Sequence, residues 1–172
     1  MSTDVLDRGQ LEDETEEMRL KREKMLEGTP PPEFFKLRAQ MLEDGRSDQQ
    51  VVKTDAMQVR LKVYSSGGEN ALHNHTDQDH FHLVLQGRGT FYGPRGEQRE
   101  VGQYEGVMLP KGCFYRFLSS GDEPLVLLRV GCKVPGKKSR INVYGDPLPA
   151  NSAENGKISP VFKEGVFWGA AE

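Results

Sequence analysis

A chain of 172 residues, 35% hydrophobic and 28% charged, suffices for one ordinary domain and an appended segment, provided the apolar residues are concentrated in part of it. With 23 Lys and Arg against 26 Asp and Glu, a net charge of -3 and no basic block, the composition argues against nucleic acid as a partner, and no apolar run reaches the roughly 18–20 residues of a membrane span. The acidic start lacks the basic and apolar regions of a secretion signal, and two cysteines, Cys113 and Cys132, are too few for a disulfide framework, so a reduced, cytoplasmic protein is expected.

Residues 1–50 read as a charged arm, helical or disordered. From Leu11 to Leu26 only Leu11, Met18, Leu20, Met25 and Leu26 are apolar, which predicts a solvated helix or no fixed structure. Pro30, Pro31 and Pro32 break the chain, and Thr29 is a candidate cap. Phe34, Leu37 and Met41 recur at helical spacing with Phe35 and Leu42 alongside, predicting a second helix that ends at Gly45.

From residue 51 to 135 the period falls to two. Met57, Val59, Leu61 and Val63 alternate with Gln58, Arg60, Lys62 and Tyr64, and strand-like runs follow at Phe81–Gln86, Gly89–Tyr92, Gly106–Leu109, Phe114–Leu118 and Leu125–Val130. Turn chemistry separates them and no helix intervenes, so an antiparallel sandwich or barrel is expected. Residues 136–172 read as an irregular tail whose aromatic end, Val161, Phe162, Val166, Phe167 and Trp168, packs back on the barrel or on a second copy of the chain as a homodimer.

All four histidines, His73, His75, His80 and His82, fall within ten residues. On strands, His73 and His75 share one face and His80 and His82 another, so two neighbouring strands bring the pairs together. Converging neutral imidazoles suit Zn, Fe, Cu or Ni, while a hydrated surface hairpin among Asn74, Asp77, Gln78 and Asp79 is the plainer alternative. His82 is the expected non-ligand.

Gly67, His73, His75, His80 and Gly87 stand at the spacing of the first cupin motif, with His80 where that superfamily usually has Glu. The second motif resembles Pro110 to Tyr115, with Tyr115 in place of the usual histidine. Over residues 51–135 the chain therefore resembles the cupin superfamily, which implies an all-β, jelly-roll barrel carrying an N-terminal helical arm. The resemblance further implies a divalent transition metal on His73, His75 and His80. Exchanging Glu for His80 removes a negative charge from the ligand set, favouring Fe(II) foremost, then Zn, Ni or Cu, over Mn. Tyr115 becomes a phenolate ligand, a general acid or hydrogen-bond donor beside the open position, or a residue that fills the barrel; His82 lines the pocket.

Arg60 and Lys62 lie on the polar face of their strand and are expected in solvent; turned inward, they would pair with a carboxylate or enolate. Arg129 alternates with Val126, Leu128 and Val130 and is expected at the surface. A small-molecule substrate is implied. Three-histidine cupins suggest oxidative cleavage of a dicarbonyl or phenolic compound. The alternatives are Lewis-acid lyase or isomerase chemistry, or a cupin that binds metal or ligand without turnover.

Overall fold

The computed structural model describes residues 14–134, 140–148 and 159–171, with Asn70 described in its backbone only. The expectations for Leu11 and the rest of the first thirteen residues, and for the Pro- and Asn-rich stretch around residues 149–158, lie outside them. The chain divides into Met1–Phe34 and Phe35–Glu172.

In the first unit a single helix, α1 (Glu16–Leu26), begins where the Thr15 hydroxyl accepts from the Met18 amide. Glu16 and Glu17 in its first turn and Lys24 in its last match the helix dipole. Lys21 pairs with Glu17 at 2.6 Å and Arg22 with Glu14 at 2.8 Å. None of its residues is buried, so this is the solvated helix that the charge density predicts.

The second unit is built from β1 (Arg38–Asp44), β2 (Arg46–Lys53), β3 (Met57–Tyr64), β4 (Gly68–His75), β5 (Gln78–Gln86), β6 (Gly89–Tyr92), β7 (Gln98–Val101), β8 (Gly106–Leu109), β9 (Tyr115–Ser119), β10 (Leu125–Lys133), β11 (Arg140–Asn142) and β12 (Val161–Gly169). Two five-stranded sheets, β2-β3-β10-β5-β8 and β11-β4-β9-β6-β7, form the jelly roll, and β1 pairs with β12 in a two-stranded ribbon. Every pairing is antiparallel. No helix of the described residues is long and apolar enough to cross a membrane.

The predicted second helix is a strand. Ala39, Met41 and Leu42 of β1 are buried against Leu61, Val63 and Val126, while Phe34 and Phe35 stay exposed. Helical spacing of three side chains yields here to a sheet surface and to backbone partners on β12, with Arg38 paired to Gly169 and Gln40 to Phe167. The tail is likewise ordered where it was expected to be irregular. β12 pairs with β1, the Arg38 guanidinium lies 4.0 Å from the centre of the Phe167 ring, and Trp168 packs against the β1 core. The two large sheets therefore extend beyond the expected 51–135 span, from β2 to β11.

Two cores result. One lies between the large sheets and contains Tyr64, Val84, Phe91, Val101, Leu109, Tyr115, Phe117, Leu125 and Leu127. The other lies under β1. β3 serves both, and this reverses an expectation: its apolar side, Val59, Leu61 and Val63, faces away from the barrel interior, and its polar side faces inward. The motif glycines have a backbone role. Gly67 and Gly87 hold φ of 66° and 73°, and a Cβ at Gly87 would stand 2.8 Å from the Pro124 carbonyl oxygen.

Candidate functional site

The inward faces of β4 and β5 carry the histidines together, as the period-two argument requires. His73, His80 and His82 are each 1% exposed or less. Ring centres of His73 and His75 lie 5.1 Å apart, those of His75 and His80 4.3 Å, and those of His80 and His82 6.0 Å. The hydrated hairpin is thereby ruled out. Tyr115, opposite His73 on β9, reaches the same space with its ring 4.8 Å from that of His73. His82 sits deeper, against Phe91 and Phe117, and neither of its ring nitrogens has a hydrogen-bond partner.

Lys62, expected in solvent, is 4% exposed and inside the barrel. Its ammonium pairs with Glu69 at 2.6 Å and donates to the Tyr64 hydroxyl at 3.2 Å. Burial works against the charge on Lys62, but Glu69, Tyr64 and Asp48 together outweigh it and raise the proton affinity. Burial also works against ionised Glu69; the Lys62 ammonium, with help from His73 and Arg129, holds its carboxyl well below the usual range. Tyr64 is pushed up to about 12 by burial, in spite of Lys62. Arg60, half-buried, pairs with Asp48 at 2.6 Å.

Arg129 also departs from expectation. Both faces of β10 are covered, with Val126 under β1 and Leu125 and Leu127 in the barrel, so this strand has no solvated side for it. Its guanidinium turns inward and donates to Nε2 of His80. Nε2 of His80 lies between this guanidinium and the Gln78 Oε1 at 3.1 Å; with the guanidinium, which can only donate, as its partner, the ring proton sits on Nδ1 and donates to the Tyr115 oxygen at 3.4 Å. Tyr115 in turn donates to Glu69 at 3.4 Å. A directed chain of donors thus runs from Arg129 through His80 and Tyr115 to the carboxylate that Lys62 holds. Burial, and the Glu69 charge after it, raises the Tyr115 hydroxyl well above its ordinary value, so it is a phenol and a donor in this chamber.

Burial first, and Arg129 second, lowers His75 to about 3 and lowers His80 as well; burial lowers His82 to about 3. These are neutral imidazoles with free electron pairs at neutral pH. His73 donates from Nδ1 to the Ala71 carbonyl at 2.7 Å, which leaves Nε2 3.4 Å from an oxygen of Glu69. A proton or a metal cation fits between this nitrogen and the carboxylate. The separation suits a metal: two donors about 2.1 Å from a tetrahedral ion stand about 3.4 Å apart. Among the described residues no three His, Cys, Asp or Glu groups converge closely around one point, and His80 is turned to Arg129.

Sequence reasoning missed Glu69, although counting back by twos along β4 from His73 places it on the same inward face. Cys113 is half-buried and its thiol is pushed up by burial, which leaves it unactivated, and Cys113 and Cys132 are both free.

Residues 60–131 match the family model of the cupin domain, and the two sheets have the jelly-roll arrangement that goes with it. Residues 60–131 thus form a cupin domain. A sugar phosphate isomerase of the cupin superfamily from Silicibacter pomeroyi is 21% identical, with a TM-score of 0.50 over 62% of this chain and 82% of its own. A Thermus thermophilus protein is 18% identical, with a TM-score of 0.50 over 56% of this chain and 91% of its own. A cupin superfamily protein from Desulfitobacterium hafniense is 15% identical, with a TM-score of 0.47 over 55% and 83%. At these identities the likeness is one of fold. No curated protein matches the chain. The inward strand faces of this domain make the barrel interior polar and histidine-rich.

Proposed function

We propose that this cupin uses the barrel interior as a mononuclear metal centre, in which His73, His75 and His80 hold a divalent transition ion and Glu69 adds an oxygen donor beside His73. The observation that carries it is the close approach of Nε2 of His73 to the Glu69 carboxylate, 3.4 Å apart inside the barrel. A set dominated by imidazole suits Fe(II), with Zn, Ni and Cu as rivals. When bound, such an ion polarises a carbonyl oxygen and, if it is iron, adds redox chemistry towards dioxygen. Were Fe(II) held there, the barrel interior would suit oxidative cleavage of a small dicarbonyl or phenolic compound by dioxygen.

A second reading has support of its own. Tyr115 is an un-ionised phenol and His82 a neutral base, with ring centres 5.9 Å apart. A small substrate seated against both rings would meet a proton donor and a proton acceptor side by side, which is lyase or isomerase work and needs only a redox-silent ion. The free cysteines suit a reducing, cytoplasmic setting.

The test is metal content of the full chain purified without chelator, alongside alanine variants of each histidine. The expected result is near-stoichiometric metal in the wild type and in His82→Ala, and loss of it in His73→Ala, His75→Ala and His80→Ala. Iron favours the oxygenase, and zinc or nickel the isomerase or lyase. A wild type that takes up none of these ions when offered them, or histidine variants that all retain them, overturns the metal centre and leaves a ligand-binding cupin.

A further inference from the structure

The charges inside the barrel do not balance. Lys62 is matched by Glu69, and Arg60 by Asp48. Arg129 and Arg140 have no carboxylate within ion-pair distance among the described residues, and the Nε atom of each is buried without a hydrogen-bond partner. Arg129 sits on the central strand β10, opposite His82 on one side and Arg60 on the other. Arg140 sits on β11, opposite His75. They thus approach the histidine chamber from the two different sheets. The field of each reaches both His75 and Tyr115, lowering the proton affinity of both groups.

The nearest partner of Arg129, His80, is neutral, so it satisfies a donor without offsetting a charge. Holding two guanidiniums half out of water with no counter-charge costs stability, which a sequence selected for folding alone would avoid by placing a carboxylate or an apolar side chain there. The planar fork of a guanidinium matches the two oxygens of a carboxylate or phosphate.

We propose that Arg129 and Arg140 form an oxyanion-binding subsite in the chamber, so that the ligand of this cupin is a small organic molecule bearing a carboxylate or a phosphate ester. The ligand class applies to the same chamber as the proposed metal centre and rests on that reading for its catalytic meaning. The two cations that fix it lie outside the imidazole set, so anion binding is measurable without metal. On binding, the oxyanion accepts from both guanidiniums and draws Arg129 away from Nε2 of His80, which frees that nitrogen towards the chamber.

The experiment is calorimetric titration of the full chain, stripped of metal by chelator, with oxalate, malonate and glycerol phosphate, and with glycerol as the uncharged control. Saturable binding of at least one anion, and none of glycerol, is expected; whether carboxylates or the phosphate ester bind more tightly identifies the source of the oxyanion. Arg129→Gln and Arg140→Gln each weaken that binding roughly tenfold or more, about 1.4 kcal/mol or above. Arg129→Lys, which keeps the charge and loses the fork, weakens it less, and it serves as the reading for that position if Arg129→Gln does not fold. Arg116→Gln, whose guanidinium stacks on Tyr92 at 4.0 Å, leaves it unchanged. The subsite is overturned if no anion saturates the chain below about 10 mM, or if the Arg129 and Arg140 variants bind as the wild type does. Because the chain is metal-free throughout, failure of the metal centre shows in metal content and failure of the subsite shows in these titrations.

Discussion

The Lys62 ammonium and the Glu69 carboxylate, 2.6 Å apart, are each other's main compensation inside the barrel. Removing one partner of such a pair leaves the other buried and uncompensated, whereas replacing both by apolar residues of similar size is often neutral. Glu69→Ala should therefore cost about 3–5 kcal/mol, and the double change Lys62→Met with Glu69→Leu should recover most of it; urea melts of the metal-free chain check both. A double variant as unstable as Glu69→Ala would mean that the surrounding phenols and imidazoles depend on the pair. The histidines carry a second prediction. His75 and His82 bind protons at about 3 in the folded chain but near the ordinary 6.5 when unfolded, and His80 is also lowered. Between these values the unfolded state binds more protons, so stability falls as pH drops below 6.5, by about 1.4 kcal/mol per pH unit for each histidine that titrates. Urea midpoints from pH 7 to pH 4.5 should fall steeply, and flat midpoints would show that the imidazoles are already charged in the fold.

Among the elements, those of the second unit differ sharply in burial. Leu127 on β10 is fully buried, and Leu127→Ala should cost about 2–5 kcal/mol. Val166 on β12 is half-exposed, and Val166→Ala should cost under about 1 kcal/mol. Thermal melts compare them directly. Helix α1 buries nothing, so deleting residues 1–28 should leave the melting temperature of the barrel within a few degrees; a larger fall would give the arm a packing role. The strands with strict alternation or a short bounded run, β3, β5, β6, β8 and β10, were legible in the sequence. β1 was not, because Phe34, Leu37 and Met41 fit a helix by spacing and only the presence of β12, more than a hundred residues away, supplies the hydrogen-bond partners of a strand. Lys62 and Arg129 were misplaced for one shared reason. Polar residues were assigned to solvent, but β3 and β10 have a core on each side. In such strands the sign of the alternation does not reveal which face is the barrel interior, whereas the histidine cluster was legible because two i, i+2 pairs of like side chains on neighbouring strands leave few other placements.

For the whole molecule, the two cores meet at β3. Its odd positions pack beneath β1 with Leu61 and Val63, and its even positions present Lys62 and Tyr64 to the chamber. Moving β3 by one residue along β10 would bring Lys62 into the apolar layer and Leu61 opposite Glu69, leaving two charges unmatched at once. The strand is thus locked in place by penalties on both of its sides, a constraint that a strand with one wet face does not have. This makes β3 and its neighbour β10 the slowest part of the protein to open, and their amide hydrogens should exchange with deuterium only through global unfolding, while those of the exposed β12 exchange through local fraying. The charged chamber, which weakens the barrel thermodynamically, would then be what fixes its register kinetically, and a chain with Lys62 and Glu69 both made apolar should keep its melting temperature while admitting a second, slipped population visible as doubled amide resonances along β3.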